Sequence, residues 1–504
     1  MSNPSPGNLP NIVVIYADQM RADAMGCAGN PVIKTPYLNR MAQEGVRFTN
    51  AFVSYPLCCP FRASFLTGKY AHANGMYANH FPIDTRQTFL APLLKEQGYR
   101  TGYIGKWHLD GGPKPGFVPP GERRLGFDHF IGFNRGHYYM KAIYYEDTDQ
   151  PIHCPRYEPD FQTDHLLEYM QSCIEQEDNR PFFAYICYGP PHFPMDMPDY
   201  LKNLYSPDEI ILPAGVPDPE KQKEVQNLKL EMDCAGDKKA LAKSKTAGET
   251  KNPFEPETER EIREFIAQYY GMITNIDHNV GRILNCLDRN GIADNTIVIF
   301  MSDHGDMFGQ HGHYCGIKRS PYKGSMQVPF IVRYPKRFQA GKTVSFLIDV
   351  AVDSMPTLLE ICGIDIPNDV HGISYLPVLD GTAESTRDAV MYEIMKQTDG
   401  GPGDYVPVPE RGIRTLKWLY VRKPDRPKLL FDLENDPDEM NNLIDDERYR
   451  PVMEELDRAI ENHMQRTGDD WNLEADFPPP GFLTHAEADV YLENEVLKKA
   501  IIRH

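Results

Sequence analysis

Three short apolar runs, each ending abruptly in polar residues, constrain this chain more than any other feature. They are residues 11–16 (NIVVIY), 181–188 (PFFAYICY) and 296–301 (TIVIFM). Unbroken β-branched and aromatic runs of this length read as strands buried on both faces of a sheet, which is the habit of parallel strands. Parallel strands need helical crossovers, and the spacing predicts helices over 36–45 and 88–98, with a further strand over 100–104. The runs lead into Asp18-Gln19, Pro190-Pro191-His192 and Asp303-His304. Open α/β sheets bind ligands beyond the carboxyl ends of their strands, so these polar groups are expected to converge on one site.

The expected fold is therefore α/β, a large mixed, mostly parallel sheet sandwiched by helices. A pattern of shorter strand-like pieces at 412–415 and 418–421, followed by the turn-rich FDLENDPDEMNNL, adds a smaller C-terminal antiparallel sheet. We expect a catalytic domain over 1–386 and a C-terminal subdomain and tail over 387–504. Residues 218–257 are rich in Lys, Glu, Asp and Pro and read as an exposed insertion with some helix. Residues 258–290 keep helical apolar spacing, with Thr258 and Glu261 placed for a capping box. The final thirty or so residues, after three prolines at 478–480, read as a tail with one terminal helix.

Composition narrows the partners. The net charge of −19 disfavours nucleic acid and anionic membrane surfaces, although a local basic pocket for an anion stays compatible with it. No apolar run approaches the roughly 18 residues of a membrane span. The opening MSNPSPGNLP has no basic and apolar signal pattern, so a cytoplasmic location is the expectation. The ten cysteines show no disulfide-framework spacing and read as mostly buried thiols.

Two motifs carry specific chemistry. Residues 56–68 (PLCCPFRASFLTG) contain Cys-x-Pro-x-Arg, and residues 98–108 read GYRTGYIGKWH. Together they resemble the sulfatases of the alkaline-phosphatase superfamily, over roughly residues 11–362 and more loosely 411–443. The resemblance implies an alkaline-phosphatase-like fold and the oxidation of Cys58 to formylglycine by a formylglycine-generating enzyme. It implies catalytic roles for Cys58, Arg62, Lys106, His108, His192, Asp303 and Lys318. It also implies one divalent metal, calcium first with manganese or magnesium as alternatives, held by Asp18, Gln19, residue 58, Asp303 and His304. One hydroxyl of the hydrated aldehyde would attack sulfur, with His192 and Lys318 serving the departing oxygen. The second, deprotonated by His108, would then expel sulfate. Arg62 and Lys106 would hold residue 58 and the anionic oxygens.

The chain also departs from the family pattern. Gln19 stands where most members have a second Asp, His304 where many have Asn, Phe61 where a small residue is usual, and Gly136 where some have Ser. A neutral Gln19 removes one ligand charge, and Phe61 bears on how efficiently Cys58 is converted. Taken singly, Asp18 could be a helix cap and Lys318 a surface lysine; their order along the chain favours the site.

Substrate selection is expected at residues 133–145 (FNRGHYYMKAIYY), where Asn134, Arg135, His137 and the tyrosines suit a polar ring such as a sugar, with His311 and His313 as further candidates. The expected substrate is a sulfated saccharide or other small molecule. A phosphonate monoester or phosphodiester hydrolase of the same superfamily is the alternative, as is a non-catalytic metal and anion binder if Cys58 stays a thiol. A homo-oligomer is compatible with the sequence.

Overall fold

The computed structural model describes residues 9–79, 81–112, 114–176, 178–217, 258–395 and 408–471. The expected insertion at 218–257 and the terminal helix of the tail lie outside these residues. The three apolar runs are adjacent central strands: Asn11–Asp18 lies between Phe182–Pro191 and Thr296–Ser302, parallel to both. Arg100–Lys106 and His129–Phe133 extend the parallel set beyond Phe182–Pro191. On the other side, Phe330–Arg333 pairs antiparallel with Thr296–Ser302 and with Val46–Phe48, and Lys342–Val344 closes the edge of the eight-stranded sheet.

Successive side chains of a strand face opposite ways, and here each way is a core. Ile12, Val14 and Tyr16 pack into one apolar cluster with Phe61, Leu94 and Leu358. Val13, Ile15 and Ala17 pack into the other with Leu38, Met170, Ile266 and Ile273. Helices Cys58–Thr67, Leu90–Glu96 and Val350–Ile361 therefore cover one face, and Pro36–Glu44, Glu158–Ile174 and Glu259–Arg289 the other. Burial on both faces is why these strands are apolar throughout rather than alternating. The 31-residue helix Glu259–Arg289 starts with the expected reciprocal cap: Thr258 accepts from the Glu261 amide, and the Glu261 carboxylate accepts from the Thr258 amide.

The C-terminal antiparallel sheet has four strands in sequence order: Val390–Ile394, Glu410–Arg414, Trp418–Arg422 and Pro427–Asp432. The outer two and the helix Arg450–Thr467 were not among the sequence expectations. One face of this sheet buries Leu456, Ile460 and Met464 of that helix. Its other face packs on Phe52, Tyr55 and Leu57, the residues that lead into Cys58. Among the described residues the nine cysteines are free, seven of them buried, and no helix is long and apolar enough to cross a membrane.

Candidate active site

Five parallel strands end on one side of the sheet, and the residues at or just past their carboxyl ends form a single buried cluster. Asp18, Lys106, His192, Asp303 and His304 arrive this way, with His137 four residues after the end of His129–Phe133. Cys58 opens the helix Cys58–Thr67, whose first turn has no acidic residue and no side-chain cap, so its partial positive end lies beside the thiol. Cys58 Sγ lies 3.7 Å from Asp18 Oδ1, 3.4 Å from His304 Nε2 and 3.7 Å from Lys318 Nζ.

The donor set fits a divalent cation. Asp18, Cys58, Asp303 and His304 each present a ligand atom within 4.8 Å of the others. Asp303 Oδ2 is buried without a hydrogen bond. His304 Nδ1 donates to the Gly305 carbonyl at 3.0 Å, which leaves the Nε2 lone pair facing Asp303 Oδ2 at 3.2 Å. Oxygen and nitrogen lone pairs buried against one another call for a positive charge between them. Burial holds His304 down at about 4, so the ring is neutral and able to ligate.

Fixed cations surround this group. Asp18 Oδ2 accepts from Lys106 Nζ at 2.8 Å and from Arg62 at 3.1 Å. Burial alone would raise the Asp18 carboxyl, but the Lys106 and Arg62 cations outweigh it and hold it well below the usual carboxylate range. Arg62 also donates to the Lys106 carbonyl at 2.6 Å and to Cys187 Sγ at 3.0 Å, and its guanidinium lies over the Tyr16 ring. Lys318 Nζ meets His192 Nε2 at 2.6 Å and Gln19 Oε1 at 3.2 Å.

His137 and His192 stack face to face, 3.8 Å apart and 9° from parallel. His192 Nδ1 donates to the Phe193 carbonyl at 2.6 Å, so its Nε2 lone pair faces Lys318. The Tyr139 hydroxyl donates to the His192 carbonyl at 2.6 Å and therefore accepts from His137 Nδ1 at 2.7 Å; the His137 Nε2 lone pair then faces Lys106 at 3.1 Å. Burial, then the neighbouring cations, keep both rings well below the normal imidazole range. His108 is likewise held neutral by burial and by Lys106 and Arg62, and its buried Nδ1 has no hydrogen-bond partner. Its left-handed φ of 59° is uncommon for a residue with a side chain, and the Cys59 thiol donates to its carbonyl at 2.8 Å.

Cys58, Asp18, Gln19, Arg62, Lys106, His192, Asp303, His304 and Lys318 thus come together as the sequence led us to expect. His137, expected in substrate selection, sits within the ionic cluster beside Lys106. Asn134 is buried, and its amide donates to the Gly111 carbonyl and accepts from the Asp110 amide at 3.2 Å, pinning a loop. Arg135 is buried and its charge helps keep His108 neutral. His311 stacks flat on Tyr322 at 4.0 Å, and His313 Nε2 lies 3.5 Å from Ser320 Oγ. Phe61 fills the core against Tyr16 and Phe65, which accounts for a bulky residue there. Sequence reasoning missed Asp306, and took Tyr139 only as one of several tyrosines suited to a sugar. Only the polar run Ser302-Asp303-His304-Gly305-Asp306 hinted at the former.

Residues 10–364 match the family Sulfatase, and residues 309–466 match N-sulphoglucosamine sulphohydrolase, C-terminal. The chain is 32% identical over 466 residues to the ulvan-active sulfatase of Formosa agariphila, covering 92% of this chain and 82% of that protein. It resembles the structure of BT4656 in complex with its substrate D-glucosamine-2-N,6-O-disulfate with a TM-score of 0.75 at 27% identity, covering 92% of this chain and 99% of that one. The phosphonate monoester hydrolase of Agrobacterium radiobacter follows at a TM-score of 0.71 and 26% identity, covering 91% and 96%.

Proposed function

The chain belongs to the sulfatase family and hydrolyses sulfate esters, and from that premise we propose that its substrate is a sulfated saccharide, cleaved at a formylglycine made from Cys58 beside a calcium ion. The observation that carries the reading is the Cys58 environment: a helix N-terminus, two carboxylates, a neutral imidazole and three cations within one buried cluster. The saccharide is supported by the ulvan-active and disulfated-glucosamine relatives.

Asp18, Asp303 and His304, with Gln19 and residue 58, would hold the cation. A divalent cation supplies Lewis-acid stabilisation of negative charge on the sulfuryl group, and a hydrated aldehyde at position 58 supplies an attacking hydroxyl and a second one whose deprotonation expels sulfate. Arg62 and Lys106 offset the charge of Asp18 and present positive charge to the anionic oxygens. The ammonium of Lys318, hydrogen-bonded to neutral His192, can pass a proton to the departing alcohol oxygen. Neutral His108, with an unused ring nitrogen, is suited to take a proton from residue 58.

The phosphonate hydrolase likeness keeps a second anion in view. The Lys106 and His108 pair, which relatives of that rival tend to lack, favours sulfate. Mass spectrometry of the peptide bearing residue 58, after coexpression with a formylglycine-generating enzyme, should show the loss of ~18 mass units that marks thiol-to-aldehyde conversion. Sulfate release from O-sulfated glucosamine should accompany it. An unconverted cysteine in protein that nonetheless releases sulfate would sink the formylglycine assignment, and conversion with aryl sulfate alone as substrate would sink the saccharide.

A further inference from the structure

Gln19 brings to the metal group an amide with two chemically opposite ends. Only its oxygen can ligate a cation, and only its oxygen can accept from Lys318. If the NH2 group turned inward, it would face the Lys318 ammonium donor to donor. Something must therefore hold the amide one way round.

Asp306 is buried and stands where it can do so. Its Oδ2 accepts from Gln19 Nε2 at 2.6 Å, and Gln19 Oε1 then lies 3.2 Å from Lys318 Nζ. A carboxylate accepts only, so it selects the nitrogen and turns the oxygen inward. The remaining lone pairs are committed: Oδ1 accepts from the amides of Phe308 and Gly316, both at 2.9 Å, and Oδ2 from Gly316 at 2.9 Å. Gly316 is two residues before Lys318, so one side chain ties the Gln19 amide to the segment that carries Lys318. Gln19 itself sits at φ 66°, a left-handed backbone that its amide bonds to Asp303 and Asp306 help hold.

We propose that Asp306 is a positioning residue that fixes the Gln19 amide with its oxygen toward the cation, so that a neutral glutamine serves where a carboxylate is usual. The inference rests on the reading of Asp18, Gln19, Asp303 and His304 as the metal site.

The test is calorimetric titration of Ca2+ into metal-stripped protein, with the thermal midpoint of each stripped variant as a check on folding. Asp306→Asn keeps an oxygen for the Phe308 and Gly316 amides but presents NH2 to Gln19, which must turn over. We expect Ca2+ affinity to fall by about 10- to 100-fold, as for loss of a partner that orients a metal ligand. The Ca2+ concentration for half-maximal sulfate release should rise in parallel. Gln19→Glu alone sets two carboxylates against each other and should also bind weakly. The pair Gln19→Glu with Asp306→Asn restores one donor facing one acceptor and should recover most of the affinity lost by either.

Unchanged affinity in folded Asp306→Asn would overturn the proposal, as would a folded double variant no better than Asp306→Asn. Should Asp306→Asn fail to fold, the double variant against Gln19→Glu decides, because orientation predicts rescue and a merely structural Asp306 does not. Absence of Ca2+ and Mn2+ binding by the unaltered protein would instead fell the metal reading, and this inference with it.

Discussion

Burial, followed by the Asp18 charge, pushes the Cys58 thiol up to about 11, so at neutral pH it stays protonated and is a poor nucleophile. The helix terminus and Lys318 do not reverse this, in keeping with the proposed oxidation of the residue. Cys58→Ser keeps one hydroxyl but has no second one to drive release. It should accumulate a single sulfated serine, ~80 mass units heavier, without turnover. A Cys58→Ser protein with multiple turnovers would contradict this. Arg62 is a second pressure point, buried and bonded to Asp18, the Lys106 carbonyl and Cys187. Arg62→Ala strips a partner from buried Asp18 and should cost on the order of 3–5 kcal/mol in denaturant unfolding. Lysine there cannot reproduce the fork and should restore little. Most of these residues were legible because each follows an apolar run or lies in a contiguous motif. Asp306 was not, because its partner Gln19 is remote in sequence and only the fold joins them; for the same reason nothing marked Tyr139 as the partner of the His192 carbonyl.

The elements show the same division. The buried central strands and the long capped helix were plain in the sequence because their patterns are long and regular. Strands Val390–Ile394 and Pro427–Asp432 are short, and one runs into a turn-rich stretch, so their pairing is settled by neighbours rather than by their own pattern. Thr258→Ala removes half of the cap at the start of Glu259–Arg289 and should cost about 1 kcal/mol in denaturant unfolding with activity retained. Gly105 carries a heavier burden at the end of Arg100–Lys106. It has φ 118°, and an added Cβ would run into the Cys187 carbonyl of the neighbouring strand. Gly105→Ala should therefore destabilise by roughly 3 kcal/mol or more and displace Lys106 from Asp18, lowering activity beyond the loss of folded protein. Full specific activity in the folded fraction would show that the strand end tolerates the shift.

At the scale of the molecule, the small sheet supports the large one. Its apolar face backs the residues leading into Cys58, and Glu393 of the sheet accepts from the Ala71 amide and bonds His72 at 2.6 Å. The same contact holds a cluster of aromatic rings, Tyr70, His72, His371 and His463. Burial holds His371 at about 4 and His463 at about 3, below the ~6.5 of an unfolded histidine. In acid the unfolded chain thus binds more protons than the folded one, and this stability is lost as pH falls from ~6.5 toward those values. His72 runs the other way: burial lowers it, but Glu393 and Asp469 raise it overall, so its contribution is present in acid and lost as pH rises. His463→Gln removes one of the two depressed groups, so the change in thermal midpoint between about pH 7 and pH 5 should be shifted toward greater acid resistance relative to the unaltered protein. A slope unchanged by His463→Gln would place the acid sensitivity elsewhere.

Cleavage of sulfate esters at an oxidised residue 58 is what we propose for this cluster. It is tested most directly by comparing kcat/KM for paired aryl sulfate and aryl phosphonate esters, in protein matured with a formylglycine-generating enzyme and supplied with Ca2+, beside Cys58→Ala. A clear preference for sulfate that vanishes in Cys58→Ala is expected. A preference for phosphonate, or sulfate hydrolysis that survives the substitution, would contradict it.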